Sequence, residues 1–165
     1  MNEFVCDAQR LDERQDNQFV TLVLAVIHPS TGALSIAVAG AEPPLLLRAG
    51  TAEAVALAQA PMLGVIPRQE FSTIQLEIAP DDILVLVTDG ITEASRGTDF
   101  LDYTGLITLA LPSPPTASLE EIGQTILSPS GASAFAGGPL ADDASLLLAR
   151  RENLILPSVI LPEEW

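Results

Sequence analysis

Apolar and polar positions divide the chain into short extended runs followed by helix-compatible ones. From Phe19 to His28 the residues are mainly aliphatic and β-branched, and Pro29-Ser30-Thr31-Gly32 follows, which predicts a strand closed by a turn. A second strand is predicted over Leu34 to Ala39. A parallel crossover needs about a dozen or more residues, so this short connection predicts an antiparallel hairpin and argues against a doubly wound sheet. Leu45 to Arg48 resumes extended structure, and Ala49-Gly50 turns into an Ala-rich segment whose pattern selects no element; a loop is expected around Pro61 to Pro67. Phe71, Thr73, Gln75 and Glu77 alternate with Ser72, Ile74, Leu76 and Ile78, the period of a half-buried strand. Pro80-Asp81-Asp82 turns into Ile83 to Val87, a continuous apolar run that predicts a central strand covered on both faces.

Helical spacing appears later, over Tyr103 to Leu111 and Leu119 to Leu127, with Pro112, Pro114 and Pro115 between them. Asn2 to Ala8 reads as the end of a helix, Gln9 to Gln18 as a polar loop, and Ser128 to Leu140 as a flexible Ser/Gly/Ala/Pro loop. Ala144 to Ala149 is the last predicted strand. Helices laid on an antiparallel sheet are the simplest architecture for this order. One domain is expected for 165 residues, spanning 1–151, with 152–165 as a tail whose apolar clusters are punctuated by Pro157 and Pro162.

Composition narrows the function classes. Asp and Glu total 22 against 7 Lys and Arg, a formal charge of -15, which repels nucleic acid over most of the surface. Cys6 is the only cysteine, so no intramolecular disulfide or cysteine zinc cluster forms, which is consistent with a reducing compartment. The longest apolar stretch, Leu22 to Ile27, is far below the roughly 18 residues of a membrane span, and the first residues lack the basic and apolar regions of a secretory signal. A cytoplasmic protein is expected. The 48% hydrophobic content and mean hydropathy of +0.37 are high beside such a charge, and predict apolar surface left for a partner.

Candidate chemistry sits at two strand ends. Thr88-Asp89-Gly90 follows the apolar run Ile83 to Val87, and Ala141-Asp142-Asp143 precedes Ala144 to Ala149. On neighbouring strands these carboxylates would meet at the sheet rim, where hard cations such as Mg2+ or Mn2+ find oxygen ligands, and Gly90 would allow close backbone approach. Aspartates beside strands also simply end them, and spacing alone leaves both readings open.

The surrounding words resemble the SpoIIE and RsbU branch of the metal-dependent PPM (type 2C) serine/threonine protein phosphatases. The colinear segments are Phe19-Val20-Thr21-Leu22, Pro29 to Gly32, Ala39-Gly40 with Pro43 to Leu46, and Leu63-Gly64. More specific are DILVLVTDGITEA over Asp82 to Ala94 and ADDASLLL over Ala141 to Leu148. The resemblance implies an α+β fold, a sandwich of two mainly antiparallel sheets flanked by helices, with two Mn2+ or Mg2+ ions at one end. It implies Asp89 and Asp142 as metal ligands, Asp143 as a supporting neighbour, and Gly90 as the point of close approach. The activity implied is metal-dependent hydrolysis of phosphoserine or phosphothreonine on a regulatory phosphoprotein, for which an anti-sigma-factor antagonist is the family's usual kind of substrate.

Two departures limit that expectation. The family's upstream Gly-Asp motif, whose aspartate bridges the metals, has no counterpart, because no Gly-Asp pair occurs in this chain. Its place would precede Met1, so the resemblance implies an N-terminally incomplete domain of weak or no activity alone, one that associates with itself or with the missing portion. A noncatalytic binding module is the alternative. Ala41-Glu42 stands where the family commonly has His and a small polar residue. Glu93 occupies an acidic position of the same turn as Asp89 and otherwise reads as a solvated surface residue, His28 reads as a turn residue, and Cys6 as a packed one with no arginine six positions on.

Overall fold

A computed structural model describes residues 1–11, 19–111, 117–128, 131–137, 140 and 142–152. Its first element is the helix α1 (Asn2–Leu11), which overruns the expected helix by three residues. The hairpin at Pro29 to Gly32 joins β1 (Leu22–Ile27) to β2 (Ala33–Ala39) in antiparallel register, with Leu22 opposite Ala39 and Ile27 opposite Leu34. Four more strands follow: β3 (Leu45–Arg48), β4 (Thr51–Ala54), β5 (Thr73–Glu77) and β6 (Ile83–Val87). Then come the short helix α2 (Asp89–Thr92), a small hairpin of β7 (Ser95–Arg96) and β8 (Asp99–Phe100), and the helices α3 (Asp102–Ala110), α4 (Leu119–Leu127) and α5 (Ala132–Ala136). The strand β9 (Leu146–Arg150) closes the order.

Pairing separates these strands into a three-stranded sheet, β1-β2-β5, and a four-stranded sheet, β4-β3-β6-β9, both antiparallel. The fold is therefore α+β with two antiparallel sheets. The run Ile83 to Val87 is interior as expected, paired with β3 on one edge and β9 on the other. One buried cluster lies between the sheets around Leu34, Ile36, Leu46, Ile78 and Leu84. The other lies under the helices, where Leu45, Val85, Ile91, Leu106, Ile122 and Ile126 meet. Alternation along β3 and β6 sends successive side chains to these two clusters, the period-2 logic of a sheet covered on both sides.

The expected loop over Ser128 to Leu140 is not a loop throughout, because it contains α5. Gly131 explains how a turn-like composition holds a helix there: a Cβ at Gly131 would stand 2.3 Å from the Ile126 carbonyl oxygen, so only glycine lets the chain fold back on the end of α4. Ala132 is then fully buried. The Ala-rich segment after Gly50 supplies the edge strand β4. Helix α4 starts with a reciprocal cap in which Ser118 Oγ accepts the Glu121 N–H at 3.1 Å and Glu121 Oε2 accepts the Ser118 N–H at 2.7 Å. Those hydrogen bonds hold the exposed Glu121 carboxyl below its usual range. The polar stretch from Asp12 to Gln18, Pro112 to Pro115, and the tail beyond Glu152 lie outside the described residues.

Arginines join the sheets at the end where β6 begins. Arg151 donates to the carbonyls of Ile78 (2.8 Å), Pro29 (3.3 Å) and Ser30 (3.3 Å). Arg48 donates to the Glu77 carbonyl at 2.5 Å, and its Nε lies 3.3 Å from Asp82 Oδ2 as an ion pair. Gly32 and Gly50 both have left-handed φ, +78° and +85°, but a Cβ at Gly32 would lie 2.3 Å from the Ile78 oxygen while one at Gly50 would meet nothing within 4 Å. Gly50→Ala is expected to cost about 1–2 kcal/mol, the strain of left-handed backbone alone. Gly32→Ala should cost distinctly more in urea unfolding, and equal costs would show that the hairpin turn is free of the Arg151 contact.

Candidate functional site

The two acidic segments converge because β6 and β9 are antiparallel neighbours. Val87 pairs with Leu146, so the residue after β6 and the residues before β9 share one end of the sheet. Main-chain pairing continues one step beyond the strands, with the Thr88 N–H donating to the Ser145 oxygen at 3.1 Å. The Thr88 hydroxyl donates to the Asp143 carbonyl at 3.2 Å and accepts the Ser145 N–H at 2.8 Å. A single hydroxyl thus fixes the turn into Asp89 against the approach to β9. Sequence reading assigned Thr88 no such role, and its one signal is a hydroxyl residue directly after an apolar strand.

Gly90 makes the convergence tight. A Cβ there would stand 2.5 Å from the Asp143 oxygen and 3.3 Å from the Asp142 oxygen, so the expected close approach is between two backbones. Asp89 opens α2, and its carbonyl accepts the Glu93 N–H at 2.7 Å. Its side chain is exposed and turned on itself, Oδ1 accepting the Gly90 N–H at 3.0 Å. Asp142 does likewise with the Asp143 N–H at 2.7 Å, and it too is exposed. Each carboxylate keeps a second oxygen with no protein donor among the described residues. Asp143 contributes its carbonyl to Thr88, and its carboxylate is exposed.

Other acids share this end. Leu45 lies opposite Val85, so Glu42 and Pro43, just before β3, fall at the level of the end of β6. Tyr103 donates its hydroxyl to the Pro43 carbonyl at 2.6 Å, and burial together with the Glu42 carboxylate pushes its phenol well above the ordinary range. This pairing was not visible in the sequence, where Glu42 was only a departure from the family pattern. Glu93 is exposed. His28 lies at the opposite end of the molecule, in the turn beside Arg151, with its Nδ1 3.1 Å from Ser30 Oγ. Cys6 is buried on α1 with its sulfur toward Asn2.

The donor chemistry suits a hard divalent cation in kind, since carboxylate and carbonyl oxygens are what Mg2+ and Mn2+ take. It falls short in number: among the described residues no group of three or more His, Cys, Asp or Glu side chains is placed to hold a metal ion. The described residues do not by themselves fit a two-metal centre.

Residues 3–152 match the family described as Stage II sporulation protein E (SpoIIE). The chain belongs to the SpoIIE family. The phosphatase domain of the cell fate determinant SpoIIE from Bacillus subtilis, from a crystal presoaked with manganese, has the same fold, with a TM-score of 0.65 at 17% identity over 92% of this chain and 64% of that one. The RsbU and RsbW domains of a Mycobacterium tuberculosis protein superpose with a TM-score of 0.65 at 22% identity, over 80% of this chain and 37% of that one. Protein IcfG of Synechocystis sp. is 35% identical over 80 residues, 48% of this chain. The chain corresponds to only part of each of these proteins, 13% in the case of IcfG.

Gly90 separates geometry from charge. An alanine inside a helix ordinarily gains about 1 kcal/mol over glycine. Gly90→Ala is expected to reverse that sign and destabilise by about 1–3 kcal/mol, because the new carbon strikes main chain. Asp89→Asn, on an exposed side chain, should stay within about 0.5 kcal/mol of the parent in the same urea titration. A stabilised Gly90→Ala protein would show that the two backbones are not in contact.

Proposed function

We propose that this chain is part of a metal-dependent serine/threonine protein phosphatase domain, in which Asp89 and Asp142 are metal-facing carboxylates and Asp143 supports them. The observation that carries the reading is the main-chain contact of Gly90 on Asp142 and Asp143, which delivers two exposed carboxylates to one rim. The family match over residues 3–152 supports a single phosphatase-type unit over 1–151 with 152–165 as a tail. The substrate class is a phosphoserine or phosphothreonine on a regulatory cytoplasmic phosphoprotein, with an anti-sigma-factor antagonist as the leading candidate. Mn2+ or Mg2+, once bound, would supply charge neutralisation for the phosphoryl group.

The chain's own residues explain why a cation is needed. Asp89, Asp142, Asp143, Glu93 and Glu42 give this end a negative field, and a phosphate dianion is repelled by it unless positive charge intervenes. Thr88 and Gly90 hold the carboxylate-bearing turns in place, and the self-accepting Oδ1 atoms leave the remaining carboxylate oxygens for a ligand. That no group of three or more ligating side chains is placed together among the described residues supports low or absent turnover by the chain alone. It also favours a second reading, a noncatalytic phosphatase-fold module that binds a protein partner.

Mn2+ titration followed by electron paramagnetic resonance, with hydrolysis of p-nitrophenyl phosphate and a phosphoserine peptide, tests the proposal. Weak Mn2+ binding that is lost in Asp89→Asn and in Asp142→Asn is expected, with turnover at or near the blank. Binding indifferent to both substitutions would remove the ligand assignment. Vigorous Mn2+-dependent turnover, abolished by Asp89→Asn, would show that the centre is complete.

A further inference from the structure

The chain passes from β2 in one sheet to β3 in the other through Gly40 to Pro44, and the run that follows β4 returns alongside this crossing. The Val55 N–H donates to the Pro44 oxygen at 2.7 Å, and the Ala60 oxygen accepts the Gly40 N–H at 2.9 Å. The two runs are therefore antiparallel and pinned together at both ends. Between the pins they cannot zip into a ladder, because Pro43 and Pro44 have no N–H to donate. Among the described residues, no main-chain group from Ala56 to Gln59 has a hydrogen-bond partner.

Where the runs part they leave a cavity of about 250 Å³, lined by Gly40, Ala41 and Pro43 from the crossing and by Leu57, Ala58 and Ala60 from the returning run. Its walls come from one continuous stretch of described chain, and no charged residue lines it although the protein has 22 acidic ones. Pockets for whole small molecules run to roughly 300–1,000 Å³, so this one is the size for a single side chain. It also stands close to the acidic rim. Leu45 faces Val85, so four further steps of that register bring Ala41 level with Asp89. Neighbouring strands are about 5 Å apart, which sets the cavity on the order of 5–10 Å from the Asp89 turn.

We propose that this cavity takes an aliphatic side chain of the phosphoprotein substrate while the substrate's main chain lies extended along Ala56 to Gln59, an inference that rests on the phosphatase reading of the rim. An extended peptide advances about 3.3 Å per residue, so the side chain in the cavity belongs about two or three residues from the phosphorylated one. The unpaired main-chain groups of Ala56 to Gln59 supply donors and acceptors for any sequence, and the cavity supplies the selection, the division of labour found where peptides add to an exposed run of backbone. A charged flanking residue is rejected, because it would lose its water with no partner in the lining. The substrate is thus a phosphoserine or phosphothreonine in an extended segment with an aliphatic neighbour.

Fluorescence anisotropy with labelled phosphoserine peptides in the presence of Mn2+ tests this. In an alanine and glycine background, a single leucine moved stepwise along the peptide should raise affinity about tenfold when it stands about two or three residues from the phosphoserine, and little when it stands beside it. N-methylation of the amides around that leucine should weaken binding. Ala58→Phe, at an exposed position where the ring fills the cavity, should make the leucine and alanine peptides bind alike. A leucine that helps at no position, or that helps equally in the parent and in Ala58→Phe, overturns the cavity assignment and leaves the phosphatase reading standing. A gain indifferent to N-methylation overturns the main-chain docking. Failure of the phosphatase reading looks different: phosphorylated and unphosphorylated peptides would bind alike while the leucine preference persisted, which would leave the cavity as the peptide site of a noncatalytic module.

Discussion

A strand that is apolar at every position cannot leave either face in water or either edge unpaired, and β6 imposes that constraint on the whole fold. Its backbone is satisfied by β3 and β9, while Leu84 enters the cluster between the sheets and Ile83, Val85 and Val87 enter the one beneath the helices. Burying each such side chain contributes roughly 1.5–3 kcal/mol, so the strand is the common wall of both cores. The placement of the acidic rim follows from it. Because β9 runs antiparallel to β6, whatever follows one strand stands next to whatever precedes the other. Asp89 and Asp142 are thereby neighbours through strand pairing, before any side-chain contact is considered.

The distribution of positive charge belongs to the same account. All seven basic residues are arginines, and Arg48, Arg96, Arg150 and Arg151 each donate to backbone carbonyls. The forked guanidinium suits this use better than a lysine ammonium, because it can meet several fixed acceptors at once. Arg48 and Arg151 thus serve to join two sheets, and the acidic rim lies at the other end of β6 from them. The division gives the molecule one end cross-linked by arginines and another fixed by the Thr88 hydroxyl and the backbone contact at Gly90.

Much of this was legible in the sequence, for identifiable reasons. The hairpin at Pro29 to Gly32, the half-buried β5 and the central β6 announce themselves through turn residues and period, which are local properties. The two-sheet architecture came from motif resemblance, and the fold agrees with it. What stayed hidden depends on distant neighbours. Tyr103 meets Pro43 across 60 residues, and the Thr88 hydroxyl meets Asp143 across 55, so no window of sequence contains either pair. Gly131 looked like loop composition because its purpose is contact with α4. The strand β4, Thr51-Ala52-Glu53-Ala54, lacks the β-branched run that marks a strand and is extended only because β3 pairs with it.

The strand pairing also sets an order in time. The three strands β1, β2 and β5 all lie within the first half of the chain, and β1 and β2 are joined by a four-residue turn, so they can assemble as soon as they leave the ribosome. Strand β6 has no second partner until residues 146–150 have been made, and it waits with one edge bare meanwhile. Until β9 has been made, the nascent protein therefore carries an open apolar edge in its second sheet. Protection of the newborn chain, by a chaperone or by rapid completion, matters to this topology more than to one whose central strand is paired by near neighbours.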